Sequence, residues 1–313
     1  MAFALALIPV IGLLVFIYFK DKKEKEPVGF LVALFFAGMG SIITAIIAEA
    51  LGELILNVVI PSESAIKQVL VAMIIVGPAE EIGKYLVLRL ITWKSRHFDY
   101  SYDAIVYAVF VSLGFAALEN VVYVFGKGGL GTALMRMFTA VPGHACFAVF
   151  MGFFYSKAKH ASLTNKKGKS AGFKALAMLV PIILHGIYDA ILMGAGATDE
   201  DLIAGVSLLF WIVYVIALFV ASFIIVIISS KHDFCIVNLP DKVQTIYRPQ
   251  VAGNWTCSCG SVNYLNFCPK CGKHRQTGAA WYCPKCGTLS TYNFCGNCGC
   301  QKPEPRVPSA VQV

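Results

Sequence analysis

Seven long apolar runs, at residues 2–19, 28–50, 66–92, 103–125, 132–155, 173–194 and 203–229, constrain this chain more than any other feature. Crossing about 30 Å of hydrocarbon as an α-helix takes roughly 20 consecutive apolar residues. Within that layer every backbone N–H and C=O must find its partner inside the segment. With 58% hydrophobic and only 14% charged residues among 313, a soluble globular fold is excluded. The sequence predicts an all-α, polytopic transmembrane helix bundle over residues 1–230, with residues 51–60 extending the second span or lying in the interface.

The cations set the orientation. Lys20, Lys22, Lys23 and Lys25 follow the first run, Lys94 and Arg96 the third, and Lys157, Lys159, Lys166, Lys167 and Lys169 the fifth. The opposite loops hold little positive charge, and one of them, ATDED at 197–201, is acidic. The basic loops are therefore expected in the cytoplasm, with the N-terminus outside the cell membrane and everything after Ser230 inside. The first run has no basic residues before it and no small-residue cleavage pattern, so it reads as a retained anchor. These loops account for the net charge of +8, and no nucleic-acid partner is expected.

After a polar linker at 231–254, residues 255–300 hold nine of the eleven cysteines. The blocks WTCSCGSVNYLNFCPKCG and WYCPKCGTLSTYNFCGNCG repeat each other. Cys257, Cys259, Cys268 and Cys271 form one set, and Cys283, Cys286, Cys295 and Cys298 the other. Short cysteine pairs followed by glycine suit two thiolate knuckles converging on one tetrahedral Zn²⁺. A reducing cytoplasm argues against disulfides. The expectation is a small double zinc-ribbon domain holding two structural Zn²⁺, which supply its folding free energy. It offers no nucleophile and no open coordination position, so a partner-binding or regulatory role is expected. Cys300 is a spare thiol, and 301–313 reads as a disordered tail.

The third apolar run breaks its own pattern with GPAEEIGKYLV at 77–87. An ionised side chain at a span centre costs about 2.5–3.5 kcal/mol, so Glu80, Glu81 and Lys84 must face inward and find partners. Lys84 lies four residues after Glu80 and three after Glu81, on one helical face. One carboxylate is left in excess. The next three spans add Glu119 and Asn120, then His144, then His185 with Asp189 four residues on. Any one of these is ordinarily a helix–helix hydrogen-bonding group. Four consecutive spans each contributing one or more, with Pro78, Pro142 and Pro181 close by, point to a hydrated polar pocket inside the bundle.

Glutamates beside imidazoles suit two ways of delivering water to a peptide carbonyl. Histidine and glutamate can hold a metal such as Zn²⁺ whose bound water ionises near neutral pH, or a glutamate can take the proton directly. Asp189 can fix the tautomer of His185 in either case. The residues alone do not choose between the two.

EEIGK at 80–84, FAALEN at 115–120, the His144-to-Gly152 spacing and HGIYD at 185–189 together resemble the PrsW family of intramembrane proteases. More distantly, they are similar to the CAAX prenyl protease and bacteriocin-processing group. The resemblance covers about residues 28–229. It implies a membrane metallopeptidase acting on membrane-anchored proteins, with Glu80, Glu81, His144 and His185 needed for activity and Glu119, Asn120 and Asp189 as further motif residues. The resulting assignment makes Glu80 or Glu81 the water-activating base. His144, His185 and, as third ligand, Glu119 hold the metal, Lys84 neutralises the spare carboxylate, and Asn120 orients substrate or the oxyanion.

Two readings compete with peptidase activity. Intramembrane acids and histidines also build the proton or ion pathways of transporters and channels, although these spans show no internal repeat. A non-catalytic scaffold recruiting partners through its zinc ribbons is the other. Glu49 and Glu53 are read as interfacial, Arg89 and Arg136 as snorkelling from span ends, and Cys146 as packing.

Overall fold

The structure, a computed structural model, describes residues 2–198, 200–237, 255–256, 259–260, 262–263, 281–290, 294–295 and 297–303. It divides into two compact units, Met1–Ile236 and Val237–Val313.

Among the described residues, the regular structure of the first unit is helical apart from one isolated bridge. Helix α1 spans Ala2–Lys20, and α2 (Val28–Gly40) and α3 (Ile42–Val59) form one long rod interrupted at Ser41. A second rod begins at Ser64, whose hydroxyl accepts the Lys67 N–H at 3.2 Å and so caps α4 (Ala65–Leu70). The rod widens into a π-helical stretch, Val71–Val76, before α5 (Gly77–Thr92). There the Gly77 N–H reaches back five residues to the Ala72 carbonyl. Pro78 explains the wide turn, because it has no N–H to give and its ring crowds the preceding carbonyls.

Helix α6 (Asp103–Tyr123) runs on through a second π-helical stretch, Val124–Gly128. It is followed by α7 (Gly129–Phe138), α8 (Ala140–Leu163), α9 (Lys167–Gly196) and α10 (Asp201–Lys231). Every residue of α6 from Asp103 to Ala117 is buried. An apolar helix buried all round is the centre of its bundle, and α6 packs against α8, α2, α1 and α5. Helix α10 instead turns Leu202, Leu209 and Phe210 outward, a surface suited to acyl chains.

Among the described residues, five helical segments are long and apolar enough to cross a membrane: Val28–Val59, Asp103–Gly126, Gly129–Leu163, Lys167–Gly196 and Asp201–Lys231. Of the seven expected, the first corresponds to α1, 19 residues from Ala2 to Lys20. The rod from Ala65 to Thr92 has the length, about 42 Å at 1.5 Å per residue, but carries Lys67, Glu80, Glu81, Lys84 and Arg89. The run expected at 132–155 is broken at Thr139, where φ is −121° and ψ −74°. Helix α8 restarts there with Pro142 in its first turn, where the missing N–H is harmless.

Glycines let the central helices touch. A Cβ at Gly114 would collide with the Phe35 carbonyl, and one at Gly38 with the Val111 carbonyl, so α2 and α6 approach backbone to backbone through a reciprocal pair. On the other side, a Cβ at Gly152 would lie 2.5 Å from Ile105 Cα, fixing α8 against α6.

In the second unit, β1 (Trp255–Thr256) pairs antiparallel with β2 (Val262–Asn263), and β3 (Trp281–Tyr282) with β4 (Leu289–Ser290). Of the first expected ribbon, Cys257, Cys268 and Cys271 lie outside the described residues, as do most of the linker and 304–313; Cys259 is exposed.

The α2–α6 contact predicts a contrast. Gly114→Val should lower the unfolding midpoint by the equivalent of about 3 kcal/mol or more, because backbone, not a mobile side chain, occupies the space. Gly29→Ala, which meets nothing within 4 Å, should leave the midpoint unchanged; thermal unfolding in mild detergent reads both.

Candidate active site

Lys84 lies at the middle of the polar cluster. Its side chain is fully buried, and its ammonium donates to Glu80 Oε2 at 3.0 Å, Glu81 Oε1 at 2.8 Å and His144 Nδ1 at 3.0 Å. The helical spacing accounts for the first two bonds; the third reaches from α5 to α8. An ammonium can only donate, so Nδ1 is the acceptor on His144. A neutral ring then carries its proton on Nε2, which faces Glu119 Oε2 at 2.9 Å.

Glu119 in turn forms an ion pair with Arg136, its Oε2 2.7 Å from Nη2. His185 Nδ1 lies 2.9 Å from Glu81 Oε1, and its Nε2 lies 3.1 Å from Asp189 Oδ2. The ring is therefore held between two carboxylates from α5 and α9. Phe147 stacks on it at 4.7 Å, and Phe115 lies 4.1 Å beneath the Lys84 ammonium. The Ser112 hydroxyl donates to the His144 carbonyl at 2.9 Å, tying α6 to α8 beside the cluster.

Seven of the eight predicted polar residues therefore meet in one network: Glu80, Glu81, Lys84, Glu119, His144, His185 and Asp189. Glu80, Glu81, His144 and His185 each present a ligand atom within 4.8 Å of the others. Glu119, expected as third ligand, lies outside that foursome, on the far nitrogen of His144. Asn120, expected to face substrate, is fully buried and accepts from Arg136 Nε at 2.8 Å.

One participant departs from the sequence reading. Arg136 does not snorkel: α7 folds back after Gly129, whose φ of +57° only glycine adopts freely, and this carries the guanidinium inward. Beside α5 runs a largely apolar groove of 310 Å³, lined among others by Thr44, Ala48, Gly52, Pro78, Ala79 and Ile82.

The donor set fits a divalent metal on two counts. Glu81 Oε2 is buried with no hydrogen-bond partner among the described residues, so an acceptor lone pair remains unclaimed. The four carboxylates of the network meet two permanent cations, Lys84 and Arg136, leaving two negative charges for imidazole protons or a bound cation to match.

In the second unit, Cys283, Cys286, Cys295 and Cys298 form another foursome within 4.8 Å. Each half is a knuckle: the Gly287 N–H returns to the Cys283 carbonyl and the Gly299 N–H to the Cys295 carbonyl, both at 2.8 Å. Both glycines have φ near +70°. Sulfur separations of 3.4 Å, Cys283 to Cys298 and Cys286 to Cys295, approach the edge of about 3.8 Å that a tetrahedron with 2.3 Å Zn–S bonds requires.

The family model described as PrsW family intramembrane metalloprotease matches residues 26–224, a stretch that contains the whole membrane cluster and stops short of the cysteine-rich segment at 255–300. A relative from Clostridioides difficile (strain 630), Protease PrsW, is 34% identical over 194 residues, covering 61% of this chain and 79% of its own. Proteins of the same name from Geobacillus kaustophilus (strain HTA426) and Bacillus subtilis (strain 168) are 34% and 33% identical over 185 and 184 residues. These cover 59% of this chain in both cases and 76% and 79% of theirs. No solved structure matches the chain.

The central place of Lys84 carries a stability prediction. Lys84→Met leaves Glu80 and Glu81 buried without their shared cation, and should destabilise the bundle by about 3–5 kcal/mol. Lys22→Met, at an exposed loop position, should be silent in the same unfolding measurement.

Proposed function

This chain belongs to the PrsW family of intramembrane metalloproteases, and from that premise we propose that it hydrolyses peptide bonds of membrane-anchored proteins at the cluster around Lys84. The observation that carries the reading is the convergence of Glu80, Glu81, His144 and His185 within 4.8 Å, all buried, in the apolar interior. A transporter or a non-catalytic scaffold has no need of a family membership defined by proteolysis, and both give way.

The chain's own residues divide the work. Glu81 is fully enclosed and held by both Lys84 and His185, so it serves as the anchor. Glu80 has a single ammonium bond at 3.0 Å and lies 4.0 Å from a nitrogen of each imidazole, which leaves it the freer carboxylate to take a proton from water. Asp189 orients His185, and Glu119 with Arg136 orients His144. Arg136 is the donor available to a carbonyl oxygen as charge builds on it, the three ammonium protons of Lys84 being already given to Glu80, Glu81 and His144. Glu81, His144 and His185 would hold the metal, with Glu119 in a supporting place behind His144; a divalent ion there would polarise the carbonyl and lower the pKa of water. Asn120 positions Arg136. The groove between α3 and α5 suits an extended or unwinding substrate segment approaching from the lipid side.

We place the basic loops and the cysteine unit on the cytoplasmic side of the cell membrane, following the lysine distribution. The Cys283–Cys298 foursome holds a structural Zn²⁺ and presents a protein-binding or regulatory module; the repeat of its pattern upstream implies a second.

Two measurements test these assignments. With a single-span protein co-reconstituted as substrate, Glu80→Gln should reduce cleavage about 10²–10⁴-fold while the protein still inserts and accumulates; undiminished turnover sinks the assignment. Transition-metal analysis of the full chain and of a truncation ending at Ile236 should show the cysteine-bound zinc lost with the tail and one transition-metal ion per chain kept. Complete loss of transition metal with the tail would remove the ion from the membrane cluster.

A further inference from the structure

A second group of acids, far from the catalytic network in sequence, gathers where the loops close one end of the bundle. Glu26 precedes α2, Asp99 lies in the loop after α5, and Asp103 opens α6; each presents an oxygen within 4.8 Å of the other two. All three are almost fully buried, at 4%, 2% and 0% exposure. Asp21, just after α1, is 1% exposed and repels Glu26, Asp99 and Asp103.

The surrounding hydrogen bonds do not neutralise this charge. Asp103 Oδ2 accepts the N–H groups of Asp99 and Tyr100, at 3.0 and 2.7 Å. Its Oδ1 and Glu26 Oε2 are buried without a hydrogen-bond partner among the described residues. The Lys25 ammonium, which could have served, donates to the backbone carbonyls of Tyr18 and Asp21. Asp233, at the end of α10, is already committed to the Ser101 hydroxyl and the Tyr102 N–H. Burying carboxylate oxygens without partners is among the costliest arrangements a protein can adopt. Burial pushes the carboxyls of Asp21, Glu26 and Asp99 up to about 6, 8 and 7; the Lys25 charge, a Tyr107 hydrogen bond and a backbone hydrogen bond respectively offset part of the rise, and the neighbouring acids add a smaller push upward.

We propose that Glu26, Asp99 and Asp103 bind a hard divalent cation of the Mg²⁺ or Ca²⁺ class. The ligand group contains carboxylates alone, with no thiolate or imidazole, and all-oxygen sites select hard ions over zinc or copper. Asp21 supplies further negative charge beside it. The ion ties the connection between α1 and α2 to the loop before α6. That loop is in turn joined to the end of α10 by the bonds Ile236 N–H to Asp99 carbonyl, 2.7 Å, and Ser101 N–H to Phe234 carbonyl, 2.9 Å. One cation thus fastens the ends of α1, α2, α5, α6 and α10. The site is separate from the catalytic cluster, so it stands or falls independently of the proposed proteolysis.

Terbium(III) is the probe, because it replaces hard divalent ions and is sensitised by nearby tyrosine; Tyr102 and Tyr107 lie within electrostatic reach of these acids. Full-length protein in detergent, stripped with chelator, should show tyrosine-sensitised terbium emission that Ca²⁺ or Mg²⁺ displaces, and its unfolding midpoint should rise when either ion is added. Glu26→Gln and Asp103→Asn should each weaken terbium binding at least tenfold, whereas Glu81→Gln in the catalytic cluster should not. Should Asp103→Asn fail to accumulate because its N–H acceptor is compromised, Glu26→Gln decides alone. Emission unchanged in Glu26→Gln, emission lost in Glu81→Gln instead, or no emission from folded protein would each overturn the proposal.

Discussion

The ammonium of Lys84 is what allows a polar site to exist inside this bundle. Two adjacent carboxylates cannot be withdrawn together from water unless a cation accompanies them. Lys84 meets both from the same helix and then reaches His144 on another. The bundle closes around that centre. Helix α6, buried along most of its length, supplies Ser112, Phe115 and Glu119, while α8 and α9 supply the imidazoles. Take away the shared cation and the acids must either titrate or drag water into the core.

Short-range features of this arrangement were legible in the sequence, since helical spacing translates directly into contact. Glu80 and Glu81 with Lys84, and His185 with Asp189, follow from intervals of three and four residues. The likeness of four ordered motifs to one family carried the rest of the cluster. Arg136 was beyond this reasoning because its direction depends on how α7 turns after a left-handed glycine, which no periodicity encodes. The number of spans was blurred for a related reason: hydropathy sees apolar length, and neither the break at Thr139 nor the charge load of the rod ending at Thr92 is a matter of length.

The loop-end acids show the same limit more sharply. Glu26, Asp99 and Asp103 belong to three segments that become neighbours only after α6 is in place. Each alone is an ordinary acid beside a helix start. In the cysteine unit the reverse holds: the spacing C-x-x-C-G, twice, already contains the turn, because the glycine provides the positive φ that lets the chain fold back on its first thiol.

The widened turn at Val71–Val76 acts as a phase adjuster for everything that follows it on the rod. A π-helical stretch accommodates one residue more than a regular helix would over the same rise, and a single residue is about 100° of rotation. The carboxylates of Glu80 and Glu81 therefore owe their azimuth to an insertion upstream of Pro78. Deleting one residue there would restore ordinary pitch, turn both acids away from His144 and His185, and leave the apolar side of α5 facing the imidazoles.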